Sequence, residues 1–348
     1  MITNQAKAEK CKSTEMLKKT RVITMETGEP PCEHENSGEA TNETVQTLFG
    51  NFEGHERFNF PAGIIRVTSG YGGEALLYTG GEKTALFDCG MAYCGQKTVE
   101  NLTKALNGRA LDYIFISHTH YDHIGAFPYI KSAFPEVKAV GAAYSKKVFS
   151  SENARKLMEA LGTAARDLYS DSKEPVRTDG FCIDTVAGDG DKIDLGGDSY
   201  VEIVETPGHT NCSISFLLQP SGTFIASEST GVLEAPGSMH TAILKSFSDS
   251  IASAEKCAKI SGIRHLISPH YGVIPDFYIA EYWKLFIRAA YRKKEYVLEQ
   301  YKKGLDFDGI LEKYVEHYWI DTQAKEQPKE AFLENAGHII KAILKEFA

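Results

Sequence analysis

The sequence predicts a layered α/β protein with a helical C-terminal extension. From Phe60 to about residue 275, short apolar and β-branched runs alternate with segments of helical period. Glycine-rich turns separate the first of these runs, and beyond residue 275 the pattern changes to dense aromatics at helical spacing. Taken in order, Gly63–Thr68, Ala75–Tyr78 and Thr84–Phe87 read as a β-meander, divided by Gly70, Gly72 and Gly73 and then by Gly80 and Gly81. Thr98–Leu106 reads as a helix, with Val99, Leu102 and Leu106 on one face, and Leu111–Ser117 as a buried strand. Further strands are expected at Val137–Val140, Val201–Glu205, Ile214–Leu218, Thr223–Ala226 and His265–Ile267, and further helices at Glu152–Tyr169 and Ser246–Ser261. In the last stretch Tyr278, Tyr282, Leu285, Phe286 and Ala289 recur at helical spacing, and Phe332–Phe347 repeats the habit. These residues predict a helical cap packed on the α/β core, part of which walls a substrate pocket.

The ends of the chain differ from its middle. The first 58 of the 348 residues are polar, with no aromatic before Phe49, and read as a flexible or loosely docked extension. Cys32 and His34 lie in it, and two scattered donors do not make a metal site. The expected division is therefore an extension over 1–58, a metal-binding domain over 59–275 and a helical cap over 276–348.

Composition excludes several classes. A net charge of −9 argues against a nucleic-acid protein that works by neutralising phosphates. No apolar run reaches the roughly 18–20 residues a membrane helix needs, and no secretory signal pattern opens the chain. Seven cysteines, an odd number with no C-x-x-C pair, read as reduced thiols in the cytoplasm.

The chemistry concentrates in Ser117-His118-Thr119-His120-Tyr121-Asp122-His123, directly after a buried strand. Alternate positions on a short extended loop put His118 and His120 on one side, where two imidazoles can hold one ion. Asp122 and His123 then turn toward a neighbouring position that can hold a second. Two ions need more ligands, and His209 (after Thr206-Pro207-Gly208), His270 (after Ser268-Pro269) and the acidic Glu228 each follow a predicted strand. Carboxyl ends of strands gather along one edge of an α/β layer, where sites form.

These residues resemble the ordered signals of the metallo-β-lactamase superfamily: Asp88 at a strand end, H-x-H-x-D-H at 118–123, then His209, an acidic bridge at Glu228 and a final His270. The resemblance spans roughly residues 60–275. It implies an αββα four-layer sandwich of two stacked sheets flanked by helices. It further implies His118, His120 and His209 on a first ion, Asp122, His123 and His270 on a second, Glu228 between them and Asp88 orienting the ligands. The bridging position is Asp in most of the superfamily. Glu228 carries one more methylene, about 1.5 Å of extra reach, so the backbone or the ions must shift to suit.

The function implied is dinuclear hydrolysis of a small-molecule thioester, lactone or phosphoester by a metal-bridging hydroxide, with two divalent ions: zinc, or iron or manganese as alternatives. Asp122 is expected to orient the nucleophile, and Tyr271 to serve as an oxyanion donor or pocket wall, or simply to pack. An iron-dependent redox enzyme and a non-catalytic metal-binding regulatory module are the alternatives. His240 is placed in a loop, facing substrate or solvent, and the aromatic tail is compatible with a homodimer interface or with intramolecular packing.

Overall fold

A computed structural model describes residues 55–235, 237–319 and 328–348. Most of the expected extension, with Cys32 and His34, lies outside the described residues. Residues 55–58 run beside the last strand of the domain, where Val273 N donates to Arg57 O at 2.8 Å.

Two six-stranded sheets form the centre. The first runs β1 (Ile64–Arg66), β2 (Leu76–Tyr78), β3 (Ala85–Phe87), β4 (Tyr113–Phe115), β5 (Lys138–Gly141) and β6 (Thr185–Val186) in that spatial order. β1 to β3 pair antiparallel and β3 to β6 parallel. The parallel pairs need crossovers, which are α1 (Gly95–Leu106) between β3 and β4, α2 (Tyr121–Ile124) and α3 (Phe127–Ala133) before β5, and α4 (Ala143–Ser150) and α5 (Glu152–Tyr169) before β6. In the second sheet β7 (Lys192–Gly196), β8 (Ser199–Glu205), β9 (Ile214–Gln219) and β10 (Thr223–Ile225) form an antiparallel meander. A hairpin of β11 (Val232–Ala235) and β12 (Ser238–His240), then α6 (Phe247–Cys257), lead back to β13 (His265–Ser268), parallel to β10, and to β14 (Gly272–Ile274).

Period-two alternation sorts the side chains into layers. Phe87 and Phe115 of the first sheet and Phe216 of the second point inward, with ring centroids 5.2–5.6 Å apart. Their neighbours Leu86 and Ile114 face the other way, onto α1 and α5, in a cluster that includes Leu102 and Met158. Leu217 and Phe224 likewise face away from the interior, onto the C-terminal helices. The order helix, sheet, sheet, helix is the four-layer sandwich.

The C-terminal region holds α7 (Ile279–Lys302), α8 (Phe307–Tyr318) and α9 (Lys329–Phe347). The aromatics of α7 are core: Tyr282, Trp283 and Phe286 are buried against the second sheet, and Tyr282 OH donates to Gly231 O at 2.5 Å. The sequence pattern missed α8, although Asp306 caps it by accepting from Gly309 N at 2.9 Å. The expected strand over Leu111–Ser117 is shorter because Ser117 N donates to Asp88 instead of extending the ladder. No described helix is long and apolar enough to cross a membrane.

Candidate metal centre

Every histidine and carboxylate singled out at the centre lies just past the carboxyl end of a strand. Asp88 follows β3, residues 118–123 follow β4, His209 follows β8, Glu228 follows β10 and His270 follows β13. Both sheets therefore contribute. Asp88 and His270 take left-handed backbone conformations, with φ of 54° and 59°. Two glycines permit close approach: a Cβ on Gly73 would lie 1.5 Å from the Asp122 carbonyl oxygen, and one on Gly208, beside His209, would lie 2.5 Å from Ser250 N.

The side chains converge as two groups of donors, His118, His120 and His209, then Asp122, His123, Glu228 and His270. In the first, His209 Nε2 lies 3.2 Å from His118 Nε2 and 2.9 Å from His120 Nδ1. In the second, His123 Nε2 is 2.8 Å and His270 Nε2 3.1 Å from Glu228 Oε1, and Asp122 Oδ2 is 3.5 Å from His270 Nε2. Glu228 also reaches the first group, with Oε2 3.5 Å from His209 Nε2 and Oε1 3.6 Å from His118 Nε2.

The outer ring nitrogens explain why the inner ones face each other. His209 Nδ1–H donates to Ala242 O at 2.6 Å, and His123 Nδ1–H to Asp88 Oδ2 at 2.8 Å. Ser117 Oγ donates to Asp88 Oδ2 at 2.6 Å, which leaves it to accept from His118 Nδ1–H at 3.0 Å. In a neutral imidazole the nitrogen opposite a donating N–H is a bare acceptor. When neutral, His118, His123 and His209 thus aim inner lone pairs at one another and at a carboxylate, an arrangement that calls for a proton or a metal cation between them. Ligands on a tetrahedral ion with bonds of about 2.0–2.1 Å stand about 3.3 Å apart, close to the nitrogen separations here. Nitrogen and oxygen donors without a thiolate suit zinc, iron or manganese.

Electrostatics divide the two groups. Burial holds His118 and His120 well below the ordinary imidazole range, and His209 lower too, so all three are neutral. Burial also acts to lower His270, but the hydrogen bond and charge of Glu228 outweigh it and set the pKa at about 9. His123 is likewise raised well above its usual value, where Asp122 and Asp88 overcome burial. Glu228, despite burial, stays well below the carboxylate range because of His209 and its hydrogen bonds from His123 and His270.

The chain's similarity to known proteins agrees with this geometry. Residues 69–226 match the family model described as the Metallo-beta-lactamase superfamily. The fold is that of the metallo-beta-lactamase superfamily. A metallo-beta-lactamase fold-containing protein of Sulfurisphaera tokodaii is 27% identical over 117 residues, 31% of this chain. The match spans only 41% of that relative's own length. A crystal structure of an archaeal metallo-beta-lactamase superfamily protein from Sulfolobus tokodaii covers 66% of this chain and 86% of its own, at 18% identity and a TM-score of 0.49. A HARLDQ-motif mutant of a metallo-beta-lactamase from Cronobacter sakazakii covers 69% and 98%, at 18% identity and a TM-score of 0.50.

Within this metallo-beta-lactamase fold a cavity of about 350 Å³ opens beside the donors and is lined by His120, Asp122, Glu228 and His270. Tyr271 is not among its lining residues. It is 6% exposed in the cluster under the C-terminal helices, with the guanidinium of Arg57, a cavity-lining residue, 5.3 Å from its ring centroid. His240 is not in a loop: it ends β12, half-buried, and lines the cavity. The aromatic helix α7 supplies no cavity wall. The wall from the C-terminal region comes from α9 through Ala331, Glu334, Asn335 and His338. Sequence reasoning gave no role to His338, although the 331, 334, 335, 338 spacing marks one helix face.

Proposed function

We propose that this protein is a metal-dependent hydrolase that cleaves a small-molecule ester, thioester, lactone or phosphoester with two divalent ions, zinc by preference. One observation carries the reading: candidate ligand atoms of five imidazoles and two carboxylates converge in two groups beside a cavity. In this reading His118, His120 and His209 hold one ion, Asp122, His123 and His270 the other, and Glu228 lies between. Ions bound there would supply a water acidified toward neutral pH and a Lewis-acid contact for the scissile oxygen.

The chain's own residues do the rest. Asp88 fixes the His123 ring directly and the His118 ring through Ser117, which holds both in the ligating tautomer. Ala242 O does the same for His209. Asp122 lines the cavity and is the carboxylate that would accept a hydrogen bond from the attacking water and aim it at substrate. Five described cysteines are free, which supports a reducing compartment such as the cytoplasm.

The test is elemental analysis of protein purified without chelators, paired with His120→Ala. The expected result is about two zinc ions per chain, as a two-metal site requires, with hydrolysis lost in a variant that still melts cooperatively. A predominance of iron would move the reading to redox chemistry on the same ligands. Failure to take up any metal, or full activity in His120→Ala, would remove the hydrolase reading and leave a binding module.

A further inference from the structure

We propose that the cavity beside the donors is a slot for an amphipathic acyl substrate. An apolar chain of about six carbons would lie along α5, and a hydrogen-bonding group such as an amide would face α9. The inference deepens the hydrolase reading by naming its substrate class and rests on that reading for the scissile bond.

Two helix faces line the cavity. On α5 the lining residues are Ala154, Leu157, Met158 and Leu161, spaced i, i+3, i+4, i+7, so they form one continuous apolar stripe. Val148 of α4 extends that side. On α9 the lining residues are Ala331, which shares a cluster with Met158, and the polar Glu334, Asn335 and His338 beyond it on the same face, where His338 Nε2–H donates to Glu334 Oε1 at 3.1 Å.

An apolar stripe on a surface helix ordinarily packs inward against the core. Here Leu157 is 47% exposed while lining the cavity. Ala154, Met158 and Leu161 also pack on the core, so Leu157 is the member of the stripe left to a ligand. A ligand with one greasy edge and one hydrogen-bonding edge satisfies both walls, whereas a small, highly charged phosphoester would leave Leu157 facing water. Size agrees. At about 30 Å³ for a water-sized group, 350 Å³ takes on the order of ten non-hydrogen atoms. The donors line the same cavity, so a chain lying in the slot brings its carbonyl end to them.

The test reads binding, not turnover. Full-length protein is titrated calorimetrically with N-acylglycines from butanoyl to decanoyl, whose amide and chain match the two walls. A fully buried methylene is worth about fourfold in affinity, so even partial burial should give at least about tenfold tightening from butanoyl to octanoyl. Leu157→Asp, at a half-exposed position, should flatten the series. Leu168→Asp, on the same helix but 54% exposed and outside the cavity lining, should leave it steep. A flat series in the unaltered protein, or a steep one in Leu157→Asp, would overturn the slot. A steep series in protein that takes up no metal would keep the slot and sink the hydrolase reading, and hydrolysis with a flat series would do the reverse.

Discussion

Lys293 offers a quantitative test of how the C-terminal helices pack. It lies on α7 at 5% exposure, donates from Nζ to Thr241 O at 3.1 Å and stands 5.7 and 5.0 Å from the ring centroids of Tyr314 and Tyr318. Burial lowers its pKa from 10.5 to about 8, against a small opposing effect of Glu234. At about 1.4 kcal/mol per decade, that gap is worth about 3 kcal/mol. The unfolded chain keeps the proton up to its ordinary pKa, while the folded chain releases it above about pH 8. Between those values the unfolded state binds more protons, so stability rises with pH, and below pH 8 the full penalty is present. Lys293→Met keeps most of the buried stem and removes the ammonium. Denaturant unfolding of both proteins from pH 7 to 10.5 should show the unaltered protein gaining about 3 kcal/mol on the variant. Buried Tyr282 and Cys257, whose pKa values are raised, push stability the other way at high pH, but in both proteins, so they cancel in the difference. Parallel pH profiles would refute the claim that Lys293 is held as a desolvated cation.

Other expectations concern the centre. His270 and His123 carry raised pKa values in metal-free protein, so an ion binding there displaces their protons. Affinity should climb about tenfold per pH unit per proton between pH 6 and 8, and calorimetry in buffers of differing ionisation enthalpy should read about two protons released. Asp88→Asn removes the acceptor common to Ser117 and His123, and chelator competition should show metal affinity lower by about 10–100-fold. Gly73→Ala drives a Cβ onto the Asp122 carbonyl and should cost about 3 kcal/mol or more, visible as a lower Tm. Glu228→Asp withdraws the carboxylate by about 1.5 Å, so it can no longer reach both donor groups. Activity should fall in part, and unchanged affinity for both ions would contradict a bridging role.

The motif at 118–123 was legible because its residue types are rare and its spacing suits an extended loop. His209, Glu228 and His270 were legible from their positions after strands. The sandwich itself could be read because strand alternation and helix period are local signals. The roles of α9 and Tyr271 were not legible in the same way. Aromatic density suggested α7 as the pocket wall, but large rings are also the best filling for a sheet–helix core, and Tyr282, Trp283 and Phe286 went there. Which face of α9 meets the cavity depends on how the last helix docks near α5 and α6, a long-range matter that periodicity leaves open. Tyr271 lies in the turn between β13 and β14 and belongs to the cluster under the C-terminal helices, a tertiary placement that local periodicity does not give.

The left-handed backbone at Asp88 and His270 has a consequence for how this chain can change over generations. Such conformations cost on the order of 1–3 kcal/mol for residues with a side chain, and almost nothing for glycine. Asp88 and His270 hold those positions against that local preference, which makes sense only while their side chains are needed. In a lineage where the chemistry lapsed, glycine at 270 would relieve that cost, whereas Asp88 would stay tied to Ser117, whose N and Oγ it accepts from. Position 270, more than position 88, is where disuse of the protein would register.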